Sequence, residues 1–223
     1  MADDAITASE LADRGLDGWR LLGHALRTQL RAGGFTEAAA LAGRIAAVAD
    51  ELDHHPAIDL RYPDRVLLAL WSHDAGTVTE RDVALARWID SLAAEAGARH
   101  EPLELRVAEL AIDALDIPTV RRFWAAVLGY RPGPGAARGE DDDLSDPLDQ
   151  GPVLWFQQMV EPRTERNRIH VDVRVPHDRV ESILEAALAA GGRLVSDAHA
   201  PAFWVLADPE GNEACLCTWM GRD

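Results

Sequence analysis

The residue types best suited to chemistry in this chain are three histidines, His54, His55 and His73. Imidazole changes its protonation state near neutral pH, so a cluster of histidines in a cleft suits proton transfer. Three histidines can also hold a zinc ion, and each of them can be purely structural. The spacing alone leaves catalysis, metal binding and a structural role open.

The two cysteines, Cys215 and Cys217, are the other reactive side chains. They are one residue apart, so on a strand both sulfurs lie on one face, and a disulfide framework is excluded. We interpret them as buried apolar residues in a protein from a reducing compartment. All 22 basic residues are arginines, which excludes Schiff-base chemistry and a P-loop, because both need a lysine.

The composition is typical of a globular protein with one or two domains, since 48% of the 223 residues are hydrophobic and 27% are charged. A formal net charge of -16 argues against nonspecific binding to nucleic acid or to an anionic membrane surface. The sequence contains neither an apolar run of roughly 18 residues nor a signal-peptide pattern. We therefore expect a cytoplasmic protein without nucleic-acid or membrane partners.

The elements that must position the histidines alternate helices with strand pairs. Thr36 is predicted to cap a helix that ends before Pro56, and Thr79 opens a helix with Glu80 and Asp82 in its first turn. The order αββαββα predicts an α+β domain with a four-stranded antiparallel sheet and helices on one side. The end of one helix then meets the end of a strand at one edge, which brings the histidines together. The predicted helices span 7–14, 36–52 and 79–96, and the predicted strands lie within 19–31, 58–62 and 66–71.

The second half of the chain repeats a different pattern. A polar stretch at 97–102 is typical of a linker, so we place one domain at 1–98 and a second at 103–223. Two similar βαβββ units, at about 105–159 and 169–219, predict two paired modules with a cleft between them. The segment from Pro132 to Gly151 is predicted to be a loop, and it carries six acids and no base between 140 and 149.

The first half resembles the pterin-4a-carbinolamine dehydratases over about residues 5–96. The resemblance implies loss of water from a 4a-hydroxytetrahydropterin, which gives the quinonoid dihydropterin and needs no metal or redox cofactor. The stretch from Tyr62 to His73 is one residue longer than this family's pattern, which predicts a bulge in the hairpin. The matching residues are Gly18-Trp19, Glu51 to Pro56, Tyr62, Ser72-His73, Thr79 to Asp82, Leu85-Ala86 and Ile89-Asp90.

The same resemblance implies roles for individual residues. His54 and His73 become the acid–base pair, in an order left open, and His55 binds and orients the pterin. Asp82 and Asp50 match acids close to the family's site, where a carboxylate holds an imidazole tautomer and raises its basicity. The alternatives are a helix N-terminal charge or a solvated helix face for the acids, and plain core for Trp19. The predicted substrate-binding residues of this half are Trp19, Asp50 and Asp53.

The second half, over about residues 103–220, resembles the vicinal-oxygen-chelate superfamily, also called the glyoxalase and bleomycin-resistance fold. This fold hosts lyases, dioxygenases, isomerases and drug-binding proteins, so the resemblance indicates a fold rather than a reaction. The matching segments are Asp116 to Tyr130, Asn167 to Asp172 and Asp208 to Glu213.

Metalloenzymes of this superfamily present a His/Glu set from their strands, and the matching set here is incomplete. The candidate ligands are Glu109, His170 and either Glu213 or Cys215, while the remaining position falls on an aromatic residue. We therefore expect a metal-free pocket that binds a second, flat or apolar small molecule, with a divalent metal as the alternative. The predicted pocket residues are Trp124, Trp155, Phe156 and Trp204.

The leading hypothesis is a fusion protein whose first domain dehydrates a pterin and whose second domain binds a small molecule. One alternative is a small-molecule-sequestering protein in which the first domain only dimerises. Another is a metal-dependent lyase or dioxygenase in the second domain. We expect a homo-oligomer, because members of both families self-associate and exposed sheet edges favour pairing.

Overall fold

Two units, Met1–Val107 and Ala108–Asp223, make up the chain in the computed structural model. The structure describes residues 5–102, 105–133, 143–163, 165, 167 and 169–221. None of the helices in this described part combines the length and the apolar character needed to cross a bilayer.

The first unit is an antiparallel sheet with α-helices packed on it, in the predicted order αββαββα. The strands β1, β2, β4 and β3 lie side by side in that order, and a short fifth strand, β5, pairs with β2. The elements are α1 Ala8–Ala12, β1 Arg20–Leu22, β2 Ala25–Arg31, α2 Phe35–Leu52, β3 Ala57–Arg61, β4 Arg65–Leu70, α3 Glu80–Glu95 and β5 Arg99–His100.

The fifth strand lies inside the stretch 97–102 that was predicted to be a linker, so that prediction was wrong. Two polar contacts explain why the chain returns to the sheet after α3. The Glu101 N–H donates to the Gln29 carbonyl at 2.7 Å, and Nδ1 of His100 lies 2.8 Å from the Thr28 hydroxyl. A pattern of hydrophobic residues does not reveal contacts of this kind.

Two further details of the first unit differ from the prediction. Pairing between β3 and β4 runs without a shift from Arg61↔Arg65 to Ala57↔Ala69, so this hairpin contains no bulge. Helix α2 begins at Phe35 and not after Thr36, because Gly34 occupies the N-cap position.

The core of the first unit forms between the sheet and the inner faces of α2 and α3. Leu41 and Ile45 of α2 are buried one helical turn apart, and Leu85 and Ile89 of α3 repeat this spacing. Burial of these faces fixes the position of each helix on the sheet. It therefore also fixes the positions of the polar residues at the helix ends. The C-terminus of α2 and the N-terminus of α3 carry the candidate catalytic residues.

Within its described residues, the second unit contains two four-stranded sheets, two α-helices and a short 3-10 helix, His177–Arg179, and this arrangement agrees with the predicted βαβββ duplication. In the first sheet the order is β6-β9-β8-β7, and in the second it is β10-β13-β12-β11. The first and last strands of each module pair in parallel. The elements are β6 Glu109–Ala114, α4 Ile117–Leu128, β7 Arg131–Pro132, β8 Leu144–Ser145, β9 Val153–Gln158, β10 Val171–Arg174, α5 Val180–Ala189, β11 Arg193–Ser196, β12 Phe203–Ala207 and β13 Glu213–Cys217.

The sequence placed two parts of this unit incorrectly. The strand predicted from residue 105 begins at Glu109, and the predicted loop contains the two-residue strands β7 and β8. Pairs this short carry no recognisable hydrophobic alternation, which explains the omission. Part of the acidic run, residues 140–142, lies outside the described residues.

A buried aspartate in the turn between β12 and β13 ties the second module to the first. The Asp208 carboxylate accepts hydrogen bonds from Trp124 Nε1 at 3.0 Å and from Asn212 Nδ2 at 2.7 Å. The neighbouring Glu210 carboxylate accepts from the backbone N–H groups of Leu115 and Asp116 at the start of α4. These hydrogen bonds attach the β12–β13 turn of the second module to the α4 region of the first module.

Candidate functional site

The end of α2 places two adjacent histidines in different environments. Asp53 closes the helix in the left-handed conformation, with φ of 49°, and the His54 N–H donates to the Ala49 carbonyl at 3.0 Å. Directly after this turn, His54 is buried and His55 is exposed.

A fully buried carboxylate, that of Asp82, holds the His54 ring. Asp82 Oδ1 lies 2.7 Å from His54 Nε2, and Oδ2 accepts from the Ser72 hydroxyl at 2.8 Å and from the Thr79 N–H at 2.8 Å. Thr79 is the N-cap of α3, and Asp82 completes its capping box. The same carboxylate therefore terminates a helix and orients a histidine.

The charge state of Asp82 determines the tautomer of His54. Burial by itself raises the pKa of Asp82, but the hydrogen bonds from His54, Thr79 and Ser72 outweigh it and lower the pKa below its ordinary value. Asp82 is thus a carboxylate at neutral pH, and its facing nitrogen, His54 Nε2, must carry a proton. In neutral His54 the lone pair then lies on Nδ1, the nitrogen that can accept a proton from a ligand.

The second histidine has a weaker partner. His55 Nε2 lies 2.9 Å from Asp50 Oδ1, and these side chains are 57% and 77% exposed. Such a solvated pair holds a ring only loosely. His55 and Asp50 are therefore available to a ligand at the surface of this sheet end.

The third histidine lies at the same end of the sheet. Ala57 pairs with Ala69, so the segment before β3 and the segment after β4 leave the sheet side by side. Ser72, which donates to Asp82, directly precedes His73, and this places His73 next to the buried network. The His73 ring itself is exposed and contacts Trp71, with ring centroids 4.6 Å apart.

Trp19 and Asp53 occupy positions unlike those expected for substrate contacts. Trp19 is only 3% exposed, and its Nε1 donates to Asp90 Oδ1 at 2.7 Å. A ring enclosed in this way cannot stack on a pterin, so the structure supports the core alternative for Trp19. Asp53 is exposed and forms the C-cap of α2 through its backbone.

The zinc alternative for the three histidines has no geometric support. Among the described residues, the only group of three potential ligands within 4.8 Å of one another is His170, Asp172 and Cys215, in the second unit. His54 instead directs Nε2 to Asp82. His54 and Asp82 therefore form a buried histidine–carboxylate pair.

Comparison with known proteins identifies the first unit. The family model described as pterin 4 alpha carbinolamine dehydratase matches residues 3–92. A protein of Thermomicrobium roseum, provisionally named pterin-4-alpha-carbinolamine dehydratase, is 46% identical over 91 residues, which are 41% of this chain and 95% of that protein. The chain belongs to this family. We call the first unit, Met1–Val107, the dehydratase unit, and the second unit, Ala108–Asp223, the glyoxalase-like unit. A Streptomyces coelicolor protein with the same provisional name is 41% identical over 101 residues, which are 44% of this chain and 99% of that protein.

The second unit matches the family model described as glyoxalase-like domain over residues 109–217. Among solved structures, a glyoxalase-related enzyme from Fulvimarina pelagi is 21% identical, with a TM-score of 0.40, and covers 51% of this chain and 87% of its own. A transcriptional coactivator/pterin dehydratase from Brucella melitensis is 30% identical, with a TM-score of 0.38, and covers 40% of this chain and 99% of its own.

The predicted metal candidates of the glyoxalase-like unit are only partly brought together. His170 and Cys215 lie in one group with Asp172, because β10 pairs in parallel with β13 and sets Asp172 opposite Cys215. Glu109 and Glu213 do not belong to this group. Asp172 was missed, although its position two residues after His170 would place both on one face of a strand.

The cysteine of this group holds its proton in the folded protein. Burial, together with the nearby carboxylates and Cys217, raises the pKa of Cys215 to about 11. The thiol is therefore protonated at neutral pH, and Asp172 accepts its hydrogen bond. Binding of a divalent metal ion to Cys215 would therefore release a proton, which makes the affinity dependent on pH.

The four aromatic residues predicted to line one pocket do not share a face. Trp124 lies in the core, 2% exposed, with its indole N–H bound to Asp208. Phe156 also lies in the core, whereas its neighbour Trp155 is on the opposite face of β9. Trp204 lies directly opposite the core residue Leu216 on the neighbouring strand, so its side chain is on the core face of the second sheet. The aromatic-pocket prediction was therefore wrong as a single site.

Sequence reasoning also missed Trp71 and His24 in the dehydratase unit. His24 lies in the turn between β1 and β2, and its ring meets the Trp71 ring edge to face, with centroids 5.2 Å apart. Leu26 pairs with Leu70, which brings this turn to the sheet end that carries His73. The pairing register of the two hairpins was the missing information.

Proposed function

We propose that the dehydratase unit removes water from a 4a-hydroxytetrahydropterin and gives the quinonoid dihydropterin by histidine acid–base catalysis. The observation that supports this most strongly is the hydrogen bond between His54 Nε2 and the buried Asp82 carboxylate. In a neutral histidine paired in this way through Nε2, Nδ1 carries the lone pair that can accept a proton. The proposal needs no redox cofactor, because the reaction changes no oxidation state, and it assigns both proton transfers to histidines.

In the proposed reaction His54 is the base and His73 is the acid. His54 Nδ1 takes the proton from N5 of the substrate, and the Asp82 carboxylate stabilises the resulting imidazolium. Imidazolium at His73 donates a proton to the 4a-hydroxyl, the C4a–O bond breaks, and the oxygen leaves as water. The electron pair from N5 forms the new C4a=N5 bond, so atoms and charge balance.

The different surroundings of the two rings support this division. His54 is buried, and its Nε2 faces the Asp82 carboxylate, which holds the ring in one orientation and tautomer. The His73 side chain forms no hydrogen bond or ion pair with a described residue and is open to solvent, so it can be reprotonated between turnovers. Exposed His55, paired with Asp50, is proposed to bind the pterin ring.

The test is the rate of dehydration of 4a-hydroxytetrahydropterin supplied by a pterin-dependent hydroxylase and followed by absorbance. We expect the wild-type protein to exceed the spontaneous rate and the His54→Ala/His73→Ala variant to lose about 10²–10⁴-fold in kcat while remaining folded. His177→Ala, in the glyoxalase-like unit, is the matched control and should retain the full rate. An unchanged rate in the double variant would refute the proposal.

A further inference from the structure

The third histidine of the dehydratase unit lacks the kind of support that the other two have. His54 is bound to Asp82 and His55 to Asp50, each through a carboxylate. The His73 side chain is exposed and makes no hydrogen bond or ion pair with a described residue. An exposed imidazole without restraint samples several rotamers, which is costly for a group that must deliver a proton to one atom.

The contact that restrains His73 is aromatic. Its ring lies against the half-buried Trp71 ring, with centroids 4.6 Å apart and planes inclined by 47°. Aromatic pairs at such separations have a preferred geometry in addition to their buried area. Trp71 can therefore limit the orientations of the His73 ring while both His73 ring nitrogens stay open to a ligand or to solvent.

Two features fix the position of Trp71: the buried residue that follows it and a ring that packs against it. Ser72, the next residue, is fully buried and bonded to Asp82 and Thr79, so the backbone after Trp71 is fixed. The His24 ring from the β1–β2 turn meets Trp71 at 5.2 Å with planes at 89°. The indole ring is thus set between a turn of one hairpin and the end of another.

We propose that Trp71 is a positioning residue that orients the His73 imidazole for proton transfer, and that His24 fixes the Trp71 ring. This inference rests on the proposed dehydration for its catalytic consequence. Its structural part, the orientation of His73 by Trp71, can be measured on the protein alone. A positioning role predicts a loss in kcat, whereas direct stacking of a substrate on Trp71 predicts a rise in KM.

The experiment compares Trp71→Leu with Trp71→Phe in the full chain. Leucine keeps an apolar side chain but has no ring, and phenylalanine keeps a ring. We expect Trp71→Leu to lower kcat about 10²-fold with little change in KM, and Trp71→Phe to restore most of kcat. Trp88→Leu removes a 54% exposed tryptophan from α3 of the same unit and serves as the matched control.

The second readout is the proton NMR signal of the His73 ring, assigned with a His73→Gln variant. The indole ring current should displace this signal from the position of a histidine without an aromatic neighbour in the wild type and in Trp88→Leu. Trp71→Leu should abolish the shift, Trp71→Phe should retain part of it, and His24→Ala should reduce it. A His73 signal unchanged in Trp71→Leu would overturn the inference, and so would a rise in KM with constant kcat.

The two readouts separate this inference from the proposed function. If the wild-type protein does not dehydrate the pterin, the proposed function fails, and the loss of the ring-current shift in Trp71→Leu still establishes the contact between the Trp71 and His73 rings, while a reduced shift in His24→Ala tests whether their arrangement is held. If Trp71→Leu does not fold, the comparison passes to Trp71→Phe and His24→Ala. A wild-type His73 signal in both of those variants would then refute the positioning role.

Discussion

Replacing Asp82 with asparagine is the sharpest perturbation of the proposed base. In the wild type, Oδ2 accepts from Ser72 and Thr79, and Oδ1 faces His54 Nε2 at 2.7 Å. The asparagine oxygen is expected to take the position with more donors, which leaves its NH2 group facing Nε2. That NH2 group donates, so His54 must accept at Nε2 and carry its proton on Nδ1. The tautomer is reversed, and the proposed basic nitrogen is lost.

The expected cost follows from this reversal. We expect Asp82→Asn to lower kcat by about 10²–10⁴-fold, since a positioned base contributes about that factor. The free energy of unfolding of the dehydratase unit should fall by about 2 kcal/mol, because hydrogen bonds to a charged group become bonds to a neutral one. The helix cap at Thr79 keeps its acceptor, so α3 should remain formed.

The same variant tests the pH dependence of stability. The folded-state pKa of Asp82 is lowered, so its stabilising contribution is complete above the ordinary value of about 3.9. This contribution is lost as the pH falls through the lower folded-state pKa. Asp82→Asn should therefore show a smaller loss of stability than the wild type below about pH 4.

Three measurements check these expectations: kcat for dehydration, urea unfolding at several pH values, and the ¹⁵N NMR spectrum that distinguishes the tautomers of His54. Asp50→Asn is the matched control for stability and tautomer, because the Asp50–His55 pair is solvent-exposed. A wild-type kcat in Asp82→Asn, or a His54 ring that keeps its proton on Nε2, would refute the reasoning.

Three other predictions concern the glyoxalase-like unit. Burial raises the pKa of Cys215 to about 11, so the Cys215 thiol should resist alkylation at pH 7.5 in the folded protein. The same thiol should react after denaturation in urea. Rapid alkylation of Cys215 in the folded protein would contradict this prediction. Asp208→Ala leaves the buried Trp124 N–H without its acceptor and should lower the free energy of unfolding by about 1–3 kcal/mol. An unchanged urea midpoint would show that the Asp208 hydrogen bonds do not stabilise the unit. Protein purified without chelator should contain less than one equivalent of zinc by elemental analysis, because the structure brings only His170 and Cys215 of the four predicted ligands into one group.

The sequence predicted the element order of the first unit because its helices and strands carry clear periodicity and caps. Thr79 and the proline after His55 are local signals, and the structure confirms the helix boundaries that they mark. The end of the sheet that carries the three histidines also followed from the order of the elements. The strand β5 did not, because two residues held by Thr28 and Gln29 have no periodic signature.

The site was harder to predict than the fold, since it depends on which side chains meet across strands. Trp71 and His24 are far apart in sequence and become neighbours only through the register of two hairpins. In the second unit, Trp124 was expected in a pocket, and a single buried acceptor, Asp208, draws it into the core instead. Self-association and the second small molecule stay predictions.

The return of the chain after α3 determines where a fragment of this protein can be cut. Gly18 leaves a slot for the His100 ring, because a Cβ at residue 18 would lie 2.5 Å from that ring. His100 also reaches Asp90, which holds Trp19. Truncation before residue 99 would empty this slot, open one side of the core and leave Thr28 without its imidazole partner. A fragment intended for calorimetry or crystallisation should therefore extend past Glu101.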